Sequence, residues 1–296
     1  MPPAPDPARE RRIGYLCAFA VLFVWAGFLL SSRLSQQQAF TPWDVAALRY
    51  AGAFLAALPF VVWLGVPRLP PLRALAVVAT AAFGFPLFAY HGFGFAPAAH
   101  GGVMLPGTLP FLTAALGAVL LAEAWTKRRV VSLGVVATGI LLLATDTFGA
   151  HPGAWRGDLL FLAGSCCWAT YTVLVRLWGV SAVSATLAVA LWAAPVYLPV
   201  WWLLLPSNLG AVPMGAMAWQ FVYQGVFAVL VAGFLFTRAV NTIGAPRTTT
   251  ITSLVPAIAA LAAWPLLDEP LGLWGLVGVA LVSAGMVLGV LSARAR

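Results

Sequence analysis

The sequence predicts an all-α membrane protein, with ten transmembrane helices arranged as two inverted five-helix repeats. Three observations carry that expectation. Of 296 residues, 62% are hydrophobic and only 8% charged, whereas a soluble chain is about 45–50% apolar and about 25% charged. Ten apolar segments reach the roughly 20 residues that a helix needs to cross a bilayer. And the second half of the chain retraces the first.

In order, the segments are 13–34, 43–65, 72–93, 100–121, 129–147, 157–178, 184–205, 215–238, 246–266 and 271–291. The first follows Arg9, Arg11 and Arg12 but is too long, and too poor in small residues at its end, for a cleaved signal peptide. The third and fourth are interrupted by Gly and Pro between His91 and Pro110. The ninth opens with Gly244-Ala245-Pro246. Loops are short and leave no room for a soluble domain. Segment 147–156, with Gly149, Pro152 and Gly153, is the expected hinge, giving repeats 1–148 and 149–296.

Lysine and arginine set the orientation. With the N-terminus in the cytoplasm, 13 of the 16 basic residues fall on the cytoplasmic side, and Arg33, Arg49 and Arg156 fall outside. Both termini are therefore expected inside, in an inner (plasma) membrane. The net charge of +8 is spread singly between apolar runs, which argues against a nucleic-acid partner.

Sliding the chain by 143 positions lays Trp25 on Trp168, Arg33 on Arg176 and Gly14 on Gly157. A slide of 146 lays Pro110 on Pro256, Glu123 on Glu269 and Gly139 on Gly285. Matches of Trp, Arg, Pro and Glu carry weight in a chain where matched leucines do not. Five helices per repeat is an odd number, so the second repeat is expected upside down relative to the first. Such repetition marks secondary transporters, which hold substrate between the two halves.

These residues, above all the paired Pro110, Glu123, Gly139 and Pro256, Glu269, Gly285, resemble the drug/metabolite transporter superfamily in its EamA-type branch. Length and aromatic and proline content are similar to the amino-acid exporters of that branch. The resemblance implies a central cavity walled by segments one, three, four, six, eight and nine, with five and ten outside. It also implies export of aromatic or other apolar amino acids and related small metabolites by alternating access. The alternative is the same fold exporting drugs or sugar-linked metabolites.

Charge inside a membrane is costly and marks function. All eight acids fall in termini, loops or span ends, so no carboxylate stands ready as a proton relay. Glu123 and Glu269 are expected to cap or orient helix ends. His91, beside Tyr90, is either a hydrogen-bonded inter-helix histidine or the group through which protons couple; His100 and His151 read as loop residues. Pro106, Gly107, Pro110, Pro246 and Pro256 are expected to break or gate helices four and nine. A proline frees a carbonyl, and broken helices in membranes are tolerated mainly beside protein or a water-filled cavity. Kinks that only aid packing are the alternative.

Trp25 and Trp168 lie mid-span, and Tyr171 follows Trp168 by one turn. They are candidate substrate-binding residues with Tyr90, His91, Thr249 and Ser253, or else core packing. Most other tryptophans sit near span ends, where interfaces favour them. Cys17, Cys166 and Cys167 read as small apolar packing residues. No Walker loop, GxSxG or HExxH motif occurs, so neither enzyme activity, nor a cofactor, nor a metal is expected. The expected partners are a small-molecule substrate and lipid, with a monomer supplying both halves of the pathway.

Overall fold

The computed structural model describes residues 7–121, 126–149 and 151–293, and every regular element in it is helical. Helix α1 (Pro7–Gln37) is 31 residues long, about 46 Å at 1.5 Å per residue. It therefore outreaches the hydrocarbon core of about 30 Å and carries its arginines beyond it. Helix α2 (Pro42–Leu64) begins in a capping box. Thr41 Oγ1 accepts the Asp44 N–H at 3.1 Å, and the Asp44 carboxylate accepts the Thr41 N–H at 3.2 Å. Both orphan donors are thereby satisfied, and Pro42 supplies a helical φ where no N–H is needed.

Helix α3 (Pro71–Phe93) and helix α8 (Met214–Ile243) each contain a π-helical stretch, Val78–Gly84 and Phe221–Val231. Those stretches begin 143 positions apart, the same slide that superposes Trp25 on Trp168. Wider π turns are rare and concentrate at functional sites. Between them run α4 (Ala98–Leu121), α5 (Lys127–Gly149), α6 (Trp155–Leu177) and α7 (Ala182–Leu204). Helix α9 comes in two pieces, Ala245–Thr252 and Val255–Leu267, and α10 (Leu273–Ala293) follows.

The two expected helix breaks have different outcomes. Pro256 lacks the N–H that the Thr252 carbonyl would need. Helix α9 opens there, its first piece closed by Ser253 N–H to Thr249 O at 2.9 Å and Leu254 N–H to Ile251 O at 3.2 Å. Pro246 stands in the first turn of that piece, where proline costs nothing. Helix α4, by contrast, continues unbroken through Pro106, Gly107 and Pro110. The expectation of a break there is corrected: the helix runs on although the Gly102 and Pro106 carbonyls lose their amide partners. Ser165 of α6 donates to Leu105 O at 3.0 Å, and Thr108 donates to Met104 O at 2.6 Å.

Eight helical segments among the described residues are long and apolar enough to cross a membrane, one in each of α1–α4 and α6–α9. Helices α5 and α10 fall outside that set and pack on each other along their length. Their backbones touch. A Cβ on Gly139 would lie 2.6 Å from Gly278 O, and Ser132 Oγ donates to Gly285 O at 2.7 Å. The perimeter is apolar, with Trp63 86% and Val119 81% exposed, a surface suited to lipid and not to water. The main apolar core lies among α1, α2, α3, α6 and α7, around Phe28, Tyr50, Tyr90, Phe93 and Phe161. The protein is a multi-pass membrane protein.

Candidate functional site

A polar cluster is buried where α1, α2, α3 and α8 meet. Gln220 and Gln224 stand four residues apart around the start of the π stretch of α8, and both are fully buried. Each engages a serine of α1. Ser31 Oγ donates to Gln220 Oε1 at 3.1 Å while Gln220 Nε2 donates to Ser31 O at 3.1 Å. Gln224 Nε2 donates to Ser32 Oγ at 3.1 Å, and the Tyr90 hydroxyl donates to Gln224 Oε1 at 3.1 Å. Trp219 Nε1 adds a bond to Ser31 Oγ at 3.0 Å. Buried amides persist only when satisfied, and here both are. Replacing Gln224 with Leu takes the acceptor from the buried Tyr90 hydroxyl, while Ser32 keeps its bond to Phe28 O at 2.6 Å. It is expected to destabilise the protein by about 1–3 kcal/mol, read from unfolding in detergent.

Arg49 joins this cluster from α2. It is 7% exposed, donates from Nη1 to Gln224 O at 3.2 Å, and lies 5.5 Å over the ring of Phe28. The charge tally counts it on the outer side; the structure places it two turns inside α2. Gly52 and Gly225 set this approach, because a Cβ on Gly225 would lie 2.8 Å from Arg49 O and 2.7 Å from the Gly52 Cα.

From Phe28 an aromatic run crosses to the other half. Phe28 stacks on Phe85 at 5.9 Å, Phe85 meets Trp168 at 4.8 Å, and Trp168 meets Tyr171 at 5.0 Å. Trp25, the repeat mate of Trp168, packs instead on Phe236 of α8 at 5.4 Å. Of the candidate residues, then, Tyr90, Trp168 and Tyr171 lie along one connected set with Phe28 and Phe85, while Trp25, packed against the same core, has its ring contact with Phe236. His91 is half-buried, its ring edge-on to Trp43 at 4.5 Å and its Nδ1 2.8 Å from Leu87 O. A carbonyl only accepts, so Nδ1 carries the hydrogen and Nε2 is the position open to protonation. Thr249 is half-buried. Ser253 is buried and returns its hydroxyl to Thr250 O at 2.7 Å, back-bonding within its own helix segment.

At one end of the bundle, Glu269 receives Arg33 Nε at 2.6 Å and the Ala98 N–H at the start of α4 at 2.9 Å. Arg33 also donates to Phe93 O, the last carbonyl of α3. Glu269 thus caps a helix, as its place at a span end implies; its mate Glu123 lies outside the described residues. Nearby, His100 belongs to α4 and not to a loop. It is fully buried with Nδ1 3.0 Å from Asp158 Oδ1. Asp44 is buried too, accepting Trp201 Nε1 at 3.1 Å and the Asn208 N–H at 3.0 Å. Among the described residues no cluster of three or more His, Cys, Asp or Glu has the arrangement of a metal site.

Sequence reasoning missed Arg49, Gln220 and Gln224. The signal was present: a cation seven residues past the start of an apolar helix lies about 10 Å below its end, and two glutamines at i, i+4 share one helix face.

The chain is similar to known proteins along nearly its whole length. The profile of the EamA-like transporter family matches twice, over residues 12–145 and 155–291. A Bacillus subtilis (strain 168) protein named as an uncharacterized transporter, YyaM, is 27% identical over 219 residues, 71% of this chain and 69% of that one. A Salmonella typhimurium (strain LT2) protein named as a probable amino-acid metabolite efflux pump is 23% identical, with 97% of each chain covered. One solved crystal structure superposes with a TM-score of 0.67 at 18% identity, covering 95% of this chain and 98% of its own; that likeness concerns the fold alone. Two tandem family matches along an apolar helical chain with a polar core lead to one conclusion: the protein belongs to the EamA-like transporter family of the drug/metabolite transporter superfamily.

Proposed function

We propose that this protein exports amino acids, aromatic or otherwise apolar, and related small metabolites across the inner membrane by alternating access. The observation that carries the reading is the aromatic run Phe28, Phe85, Trp168 and Tyr171, flat apolar surface of the kind a hydrophobic side chain seeks. The polar cluster of Tyr90, Gln220 and Gln224 beside it suits the charged end of an amino acid. The name of the Salmonella typhimurium relative, a probable amino-acid metabolite efflux pump, supports the same cargo.

In this reading α5 and α10 also cross the bilayer. The ten spans form inverted repeats, 1–148 and 149–296, around a central cavity, with both termini cytoplasmic and a monomer as the working unit. The matching onset of the π stretches in α3 and α8 supports the repeat. So does the way each mid-span tryptophan packs on a phenylalanine of the other half's third helix. The Arg33–Glu269 contact then lies at the outer ends of α1 and α9 and holds that side closed. Pro256 gives α9 a joint near mid-membrane, and Thr249 and Ser253 flank it. Pro106, Gly107 and Pro110 give α4 a weaker backbone ladder, and Pro246 starts α9. These positions accommodate bending as the halves rock.

The test is uptake of a radiolabelled amino-acid panel into liposomes by counterflow, with and without a pH gradient. Uptake of aromatic or apolar amino acids is the expected result. Indifference to the gradient identifies facilitated diffusion, and dependence on it directs attention to His91. Trp168→Ala combined with Trp25→Ala is expected to lower that flux about tenfold while leaving insertion intact, given the ~0.5–1.5 kcal/mol that each aromatic pairing contributes beyond its area. Unchanged flux would remove the tryptophans from the binding site. A panel in which no amino acid moves favours the alternative cargo, of which a sugar-linked anion best suits the buried Arg49.

A further inference from the structure

Arg49 is the one feature of the polar core that its protein neighbours leave incomplete. A guanidinium offers five N–H donors; Arg49 gives one to Gln224 O at 3.2 Å and engages the Tyr90 hydroxyl, which leaves donors over. No ion pair of Arg49 occurs among the described residues. The acid nearest in sequence, Asp44, spends its carboxylate on Thr41, Trp201 and Asn208. The nitrogens of Arg49 that make no hydrogen bond are not sealed in; each touches space that a water molecule reaches. A buried cation without an anion is costly inside a membrane protein and calls for a partner.

The surroundings specify that partner. Gln224 Oε1 accepts one bond, from the Tyr90 hydroxyl, and keeps a lone pair free to accept from an ammonium. Phe28, under the guanidinium, begins the aromatic run to Phe85, Trp168 and Tyr171. Cation, acceptor and aromatic surface thus stand in one cluster, one for each part of an amino acid: carboxylate, ammonium and side chain.

We propose that Arg49 is the carboxylate-binding residue of this transporter and selects cargo with a free carboxylate next to an apolar or aromatic group. The proposal deepens the amino-acid reading and rests on it for the ammonium and side-chain contacts. The carboxylate contact itself stands on Arg49 alone. Charge-assisted and forked, an Arg–carboxylate pair is stronger than the bonds to a carbonyl and a hydroxyl that Arg49 otherwise makes.

The experiment compares wild type, Arg49→Gln and Arg49→Lys in liposomes. Counterflow of radiolabelled L-phenylalanine is competed by unlabelled L-phenylalanine or by L-phenylalaninamide, which keeps the ammonium and loses the carboxylate charge. Wild type is expected to prefer the acid by about 10- to 100-fold, the range for hydrogen bonds to a charged group. Arg49→Gln, which retains a donor for Gln224 O, is expected to raise KM for the acid by a similar factor. It should erase the preference while still carrying the amide. Arg49→Lys restores part of it.

A wild type indifferent to the carboxylate overturns the proposal. So does an Arg49→Gln protein with wild-type KM and preference, or one that is folded yet loses acid and amide alike, as a purely structural tether would. If no amino acid moves at all, the cargo reading fails and Arg49 is judged by binding. Thermal stabilisation of the purified protein by phenylacetate and not phenylacetamide, absent in Arg49→Gln, upholds it. Equal response to both, or none, rejects it.

Discussion

Glu269→Ala is expected to destabilise the folded protein by about 2–3 kcal/mol, between the ranges for an exposed and a fully buried ion pair. Arg33 and Glu269 expose only 21% and 11% of their side chains, so water does little to replace the lost carboxylate. One carboxylate joins the end of α9 to the end of α1 through Arg33 and to the start of α4 through the Ala98 N–H. Arg33 extends the tie to the end of α3 through Phe93 O. Removing it leaves a guanidinium uncompensated and a helix N-terminus uncapped. Unfolding of purified protein in mixed detergent micelles measures the loss. The double variant Arg33→Glu with Glu269→Arg restores opposite charge but not the acceptor for Ala98, so it should recover only part. Glu269→Ala within about 1 kcal/mol of wild type would contradict the tie.

The second large effect is expected at the α2–α8 crossing. Gly225→Val places a branched side chain where even a Cβ would stand 2.7 Å from Ala53 N and from the Gly52 Cα. Those neighbours are backbone, so the helices must separate, at a cost of about 1–3 kcal/mol or more. Separation also pulls Arg49 from the Gln224 carbonyl and opens the polar cluster. Loss of thermal stability together with loss of transport is the expected pairing. A Tm equal to wild type would show that the crossing is looser than its geometry implies.

The helices were legible because an apolar run long enough to cross a bilayer needs no knowledge of its neighbours. The expected 43–65, 72–93 and 157–178 stand as Pro42–Leu64, Pro71–Phe93 and Trp155–Leu177. Helix breaks were half legible: Pro256 opens α9, while α4 runs on through two prolines. Nothing in the residues 78–84 or 221–231 announces a π turn. His100 was misread because its partner, Asp158, is 58 positions away. Arg49 was counted with the cations of the outer side because a charge tally ignores depth. The candidate site was legible only as types. Tyr90, Trp168 and Tyr171 stood out as aromatics within spans, but Phe28, Phe85 and the two glutamines that join them become visible only once α1, α3, α6 and α8 are packed.

The central claim is that two related halves carry an amino acid by exposing one site alternately to each side. Its most direct test is efflux of radiolabelled L-phenylalanine from loaded liposomes, with and without unlabelled L-phenylalanine outside. A carrier that must return through its site speeds up when external substrate is bound for the return. The account predicts such trans-stimulation, saturable in the external amino acid. Efflux that proceeds at the same rate whatever stands outside, or that matches protein-free liposomes, would contradict it.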